Sequence, residues 1–214
     1  MNTNTPPSPK INKRSEQKEE TRQKLLEAAV DCINELGFHR TTTPEICRRA
    51  GVAQGTFFYH FASKQEIVVA AHEYVHRLLL IQTENFYLSL ATESPADRLS
   101  RLLDYIWNRD ISGRYAIAVN ELHMAARSDQ ELHTRLLPDD EANFQKISER
   151  WSKYFQSLRP DLPIETLKDM VYVFIAGISP IIGHKDPTYQ KAVFDAWKRM
   201  IIPMIGIIDH PEEP

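Results

Sequence analysis

Between Thr21 and Ile67 helix starts and stops follow one another so closely that few folds remain open. Leu25, Ala29, Cys32, Ile33 and Leu36 recur every three or four residues, which lays one apolar stripe along a helix. Gly37 stands where a left-handed residue closes such a helix, and Phe38 can fold back onto Ile33 as the apolar contact of that cap. TTTPEICRRAG restarts at once: Thr43 is placed as N-cap, Pro44 as first helical residue, Glu45 near the positive end of the dipole and Gly51 as stop. Val52 and Ala53 bridge to a third segment, QGTFFYHF, and two short helices across a tight glycine turn make a helix-turn-helix. Ser63 and Glu66 then form a capping box that opens a long helix running to about Leu90.

QGTFFYHF carries more aromatic surface than one buried face accommodates. Phe57 and Phe61, four apart, are expected to pack inward, leaving Gln54, Gly55, Thr56, Phe58, Tyr59 and His60 outward. Such a face suits a DNA major groove. Gln54 can pair with adenine, Thr56 can bond a base or touch a thymine methyl, Tyr59 and His60 can reach phosphate, and Gly55 admits close backbone approach. The whole stretch TRQKLLEAAVDCINELGFHRTTTPEICRRAGVAQGTFFYHFASKQEI resembles the DNA-binding head of TetR family transcriptional regulators. The elements that carry the likeness are Gly-Phe after the first helix, Thr43, Ile46, Ala50-Gly51-Val52, Gly55-Thr56, the aromatic pair before His60-Phe61, and Ser63-Lys64. The resemblance implies DNA contacts at Thr43, Gln54, Gly55, Thr56, Phe58, Tyr59, His60 and Lys64. Ala53 departs from the pattern by removing a hydroxyl cap, Phe58 replaces a common tyrosine, and Pro44 replaces a residue that reads a base in some relatives.

Elsewhere the chain reads as successive helices at roughly 95–108, 114–128, 129–158 with a possible break at Pro138, 163–182 and 187–207. The expected fold is all-α, about nine helices: a tail at 1–17, a helix-turn-helix head at 18–65, and a larger ligand-binding and dimerisation body at 66–214. In the tail, Lys10, Lys13 and Arg14 are either solvated or an arm that touches phosphate. Residues 10–70 hold ten Lys/Arg against eight Asp/Glu and the rest 16 against 21, a mildly basic head on an acidic body. Two cysteines, Cys32 and Cys47, give neither a disulfide framework nor metal-ligand spacing, which fits a cytoplasmic setting. MVYVFIAGISPIIG and MIIPMIGII fall short of the ~20 residues of a membrane span, so no membrane partner is expected.

The apolar C-terminal segments exceed what two outer helices of a monomer can hide. Phe174, Ile178, Ile181, Phe194, Trp197 and Ile201 are therefore expected at a homodimer interface. Trp107, Tyr115, His123, Met124 and Tyr172 are candidates to line a pocket for a small, largely apolar effector, ordinary core being the other reading of each. The resemblance implies a repressor that binds a palindromic operator in double-stranded DNA and is released by such a ligand. No cofactor, metal or catalytic residue is expected, and the chain reads as no enzyme. HEYVH at 72–76 nevertheless matches H-E-x-x-H, so a zinc hydrolase on His72, Glu73 and His76 is one alternative and a regulatory metal site at the two histidines a separate one. The extended zinc pattern fails, because Leu79 and Gln82 stand where glycine and histidine belong. A helical adaptor that binds protein and never DNA is the remaining alternative.

Overall fold

The structure is a computed structural model that describes residues 13–182 and 185–208, apart from the side chains of 110–112 and 179–182. Among these residues are nine α-helices: α1 Lys13–Leu36, α2 Thr43–Ala50, α3 Gln54–His60, α4 Lys64–Ser89, α5 Pro95–Ser112, α6 Arg114–Ala126, α7 Gln130–Tyr154, α8 Ile164–Ile182 and α9 Pro187–Ile201. No helix among them is long and apolar enough to cross a membrane.

Local chemistry sets most of the boundaries. Gly37 takes φ +78° and its N–H bonds the Ile33 carbonyl, closing α1 as its sequence requires. Gly51, at φ +68°, ends α2 in the same way. The N-cap of α2 is Thr42, whose side chain accepts from Glu45 N, so Thr43 is the first helical residue and not the cap. Either threonine could cap; the register is decided by Ile46 and Cys47, both buried against α1. α1 reaches back to Lys13, so residues 13–17, expected in the tail, are helical and exposed; Lys10 lies outside the described residues. α7 runs through Pro138 without a break.

Two short strands were not foreseen. β1 Phe155–Ser157 pairs antiparallel with β2 Ile205–Ile207, in the register Phe155 with Ile207 and Ser157 with Ile205. A single turn of 3₁₀ helix, Ile202–Met204, leads into β2. The expected helices at 129–158 and 187–207 therefore end early, because three extended residues at each end find their hydrogen-bond partners in one another.

Two apolar cores result. The first gathers α1, α2, α3 and the start of α4, with Leu25, Ile33, Ile46, Phe57 and Ile67 all fully buried, and extends to Leu122 of α6 and Leu132 of α7. The second lies in α5, α7, α8, α9 and the strands around Leu103, Trp151, Leu167 and Phe194. α4 runs through both.

The second core takes up part of the apolar surface expected at a dimer interface. Ile178, Phe194 and Ile201 are buried inside the protomer, with Phe194 stacked on Trp107 at 4.2 Å between ring centroids. Phe174 and Trp197 stack on each other at 4.2 Å and are half-buried. The side chain of Ile181 lies outside the described residues. Among the described residues, the large apolar side chains that α8 and α9 leave exposed are Met170, Val173, Tyr189 and Met200. Helical spacing identified apolar content correctly, but α9 turns Phe194 toward α5.

Candidate functional site

α3 is a seven-residue helix held by its buried side. Phe57 is fully buried, Phe61 2% exposed, and the two rings lie 6.0 Å apart under α1. That anchoring turns Gln54, Gly55, Phe58 and Tyr59 to solvent, with Thr56 and His60 half-exposed beside them. Phe58 and Tyr59 are 57% and 66% exposed, an unusual cost for aromatics. The N-cap, Ala53, makes no side-chain hydrogen bond, as its methyl dictates, whereas Ser63 caps α4 by accepting from Glu66 N at 3.1 Å.

α1 adds cations that the sequence did not single out. Lys18 Nζ sits 5.1 Å from the Tyr59 ring centroid and Arg22 lies 5.3 Å from that of Phe61, so basic groups flank the exposed aromatics. Burial, and then the nearby Lys18 and Arg22, push the His60 imidazole below its ordinary pKa, leaving it neutral near pH 7. Lys64 is turned inward: Nζ donates to the Phe38 carbonyl at 2.7 Å and lies over the Phe38 ring. Arg49 ties α2 to α1 through Glu35 at 2.8 Å while also bonding Glu45.

Beneath the head, α4, α5, α6, α7 and α8 enclose a cavity of about 690 Å³. Leu80, Tyr87, Ile106 and Phe155 supply apolar wall, and Val173 of α8 stands at its rim. The polar groups within it are largely committed: Arg150 pairs with Glu84 at 2.7 Å, and Lys168 donates to Ser148 at 2.6 Å. Of the residues proposed for a ligand pocket, His123 and Tyr172 line this space. Trp107, Tyr115 and Met124 do not. Trp107 is spent on Phe194, Met124 is 53% exposed, and the Tyr115 hydroxyl donates to Glu27 of α1 at 3.2 Å. Glu27 also receives Tyr74 and Arg114, so one carboxylate of α1 gathers α4 and α6.

Of the HEYVH histidines, His76 lines this cavity and His72 does not. His72 is fully buried, His76 nearly so, and with His123 they meet Asp139 and Asp140 from α7. His76 Nδ1 lies 2.8 Å from Asp139 Oδ2; His123 Nε2 lies 3.1 Å from Asp140 Oδ1. Burial works to raise both carboxyls, but the hydrogen bonds from the histidines outweigh it and hold both well below the usual carboxylate range. Burial also lowers His72, yet its two aspartate partners reverse the sign, while for His76 burial prevails. Glu73, the group a zinc hydrolase would need as base, is exposed and takes no part in the cluster. Asp139 and Asp140 follow Pro138 in a polar stretch, and no local pattern in the sequence links them to residues more than sixty positions earlier.

Residues 25–71 match the family model described as bacterial regulatory proteins, tetR family. An uncharacterized HTH-type transcriptional regulator of Mycobacterium tuberculosis is 37% identical over 123 residues, which covers 56% of this chain and 60% of that protein. The HTH-type transcriptional regulator BetI of Pectobacterium carotovorum is 33% identical over 82 residues, 38% of this chain and 42% of the relative. The matched stretch thus spans less than two thirds of these relatives. Among solved structures, the fatty acid degradation regulator FadR of Bacillus halodurans superposes with a TM-score of 0.63 at 18% identity, covering 85% of this chain and 94% of that one. FadR of Bacillus subtilis in complex with stearoyl-CoA gives 0.61 at 17% identity, with 85% and 95% covered. At such identities the structural likeness is one of fold.

Proposed function

Because the chain belongs to the TetR family of bacterial regulatory proteins, we propose that it is a DNA-binding transcriptional regulator, a repressor that grips a palindromic operator as a homodimer and lets go when a small, largely apolar ligand enters the body. The observation that carries this reading is α3: a helix anchored by Phe57 and Phe61 that spends Gln54, Gly55, Thr56, Phe58, Tyr59 and His60 on solvent. In a major groove Gln54 and Thr56 would read base edges, Phe58 would meet a thymine methyl, and Tyr59 and His60 would reach phosphate. Thr43, at the start of α2, and Lys64, once released from the Phe38 carbonyl, would add phosphate contacts.

A second copy is supported by Met170, Val173, Tyr189 and Met200, apolar side chains that α8 and α9 leave uncovered. Pairing on that face would set two recognition helices about 34 to 36 Å apart, one turn of DNA. It would also bring the partner against the cavity rim at Val173. The cavity, with its apolar wall and paired charges, suits a ligand that trades water for hydrocarbon contact. Ligand would act by population shift, favouring a head spacing that no longer fits successive grooves, with α4 as the link.

The test is an anisotropy titration against DNA upstream of the protein's own gene, beside random DNA, at two salt concentrations. Tight, selective and steeply salt-dependent binding is expected, and Thr56→Ala and Tyr59→Ala should each weaken it while the sedimentation profile of the dimer stays unchanged. Wild-type affinity in both variants would remove α3 as the reading element; salt-insensitive behaviour with no DNA retention would favour the protein adaptor instead.

A further inference from the structure

Three donor atoms from three helices converge at the upper end of the cavity with the spacing of metal ligands. His72 Nε2 of α4, His123 Nε2 of α6 and Asp140 Oδ1 of α7 form a triangle with edges of 3.4, 3.3 and 3.1 Å. Around a tetrahedral zinc with bonds of about 2.0–2.1 Å, neighbouring donors stand about 3.3–3.4 Å apart, so an ion fits above this triangle with little rearrangement. Two imidazole nitrogens 3.4 Å apart, both facing one carboxylate oxygen, form the donor arrangement that a metal ion takes. A second observation comes from the far side of the ring. His72 Nδ1 belongs to a side chain with no exposed surface, lies 2.8 Å from Asp139 Oδ2, and still makes no hydrogen bond of good geometry.

We propose that His72, His123 and Asp140 bind a divalent first-row transition ion of the Zn²⁺ class. Binding through Nε2 fixes the proton of His72 on Nδ1, 2.8 Å from Asp139 Oδ2, where a small turn of the ring would let it donate; a carboxylate behind a ligating imidazole is the usual way such a ligand is oriented. Asp139 is itself held by His76 at 2.8 Å, so the HEYVH pair divides into one ligand and one support. Two carboxylates meet here without a Lys or Arg in the cluster, and a divalent cation neutralises them. His123 and Asp140 line the cavity, so the fourth position faces that space and takes water. Nitrogen and carboxylate donors favour Zn²⁺ and its neighbours over Ca²⁺ or Mg²⁺, which prefer all-oxygen shells. The ion would tie α4, which enters the head, to α6 and α7; that this tunes DNA affinity rests on the function proposed above, whereas the binding itself does not.

The experiment is a Zn²⁺ titration of the metal-stripped full-length chain in competition with a chromophoric chelator, without DNA, followed by the absorption spectrum of the Co²⁺ form. One Zn²⁺ per chain is expected, with a loss of affinity of at least ~10-fold in both His123→Ala and Asp140→Asn and none in His133→Ala, an exposed histidine of α7. His123 is only partly buried, so its variant keeps the fold, which circular dichroism checks. Equal affinity in wild type and in H123A, or an equal loss in H133A, overturns the site. Loss in His76→Ala with wild-type affinity in H123A overturns this ligand set in favour of the His72, His76 and Asp139 atoms. DNA anisotropy with and without Zn²⁺ is read separately, so a protein that binds zinc but not DNA refutes only the function, and the converse refutes only the site.

Discussion

The two cores of the chain enclose different things. Around Phe57 the first is closed: Leu25, Ile33, Ile46 and Ile67 meet with no exposed surface, and short punctuated helices bring them together. The second wraps longer helices around about 690 Å³ that its own side chains do not fill. A closed core fixes the position of a surface, here the face of α3. An open one keeps room for something else, and gives up dispersion contacts to do so.

The difference is sharpest in truncation. Phe57→Ala should cost ~3–5 kcal/mol in urea unfolding, since no neighbour can collapse into the gap. Ile106→Ala, on the cavity wall, should fall near the ~2 kcal/mol end of the range for such changes, because the space it opens adjoins space already present. Equal costs would mean that the cavity wall is packed as tightly as the head. Gly51→Ala comes next, at ~1–2 kcal/mol, because φ +68° strains any L side chain even though a methyl there meets no atom within 4 Å. Gly55→Ala also meets nothing within 4 Å and has no such backbone demand, so stability should hold or rise by up to ~1 kcal/mol. Any fall in its DNA affinity then reports lost backbone approach and not damage to the head.

Smaller effects probe how loosely α3 is held. Ala53→Ser supplies the missing cap and should stabilise the head by ~1 kcal/mol, read as a shift in urea midpoint. Hydrogen bonds from Arg48 and Arg49 hold Glu45 down to about 2, from 4.5. Its folded pKa is depressed, so the stability it lends is present above pH 4.5 and is lost as pH falls through about 2. Glu45→Gln should flatten that acid limb slightly in a pH series of unfolding curves; an unchanged limb would mean that the arginine pairs are screened by water.

The head was legible because its signals are local. Gly37 and Gly51 occupy the left-handed positions their sequence context demands, and the four-residue spacing of Phe57 and Phe61 fixed which side of α3 faces outward. The body was legible in element order and not in facing. Phe194 and Ile201 carry the same apolar signal whether they meet α5 or a second copy, and only the packing of whole helices decides. Trp107 and Tyr115 failed as cavity residues for the same reason: Phe194 and Glu27 claim them across long stretches of chain. HEYVH was visible, but its partners on α6 and α7 were not, because Asp139 and Asp140 become neighbours of His72 only through the fold.

The ribbon of β1 and β2 works as a clasp. Leu158 N bonds the Met204 carbonyl, Ile208 N bonds that of Tyr154, and between those two bonds the chain leaves and returns as α8 and α9. The helical pair is thus a loop whose two ends are fastened to each other, so the entropy of closing it is met at the ribbon. Phe155, in the clasp itself, also forms part of the cavity wall. One residue thus belongs both to the wall of the cavity and to the fastening of the two helices.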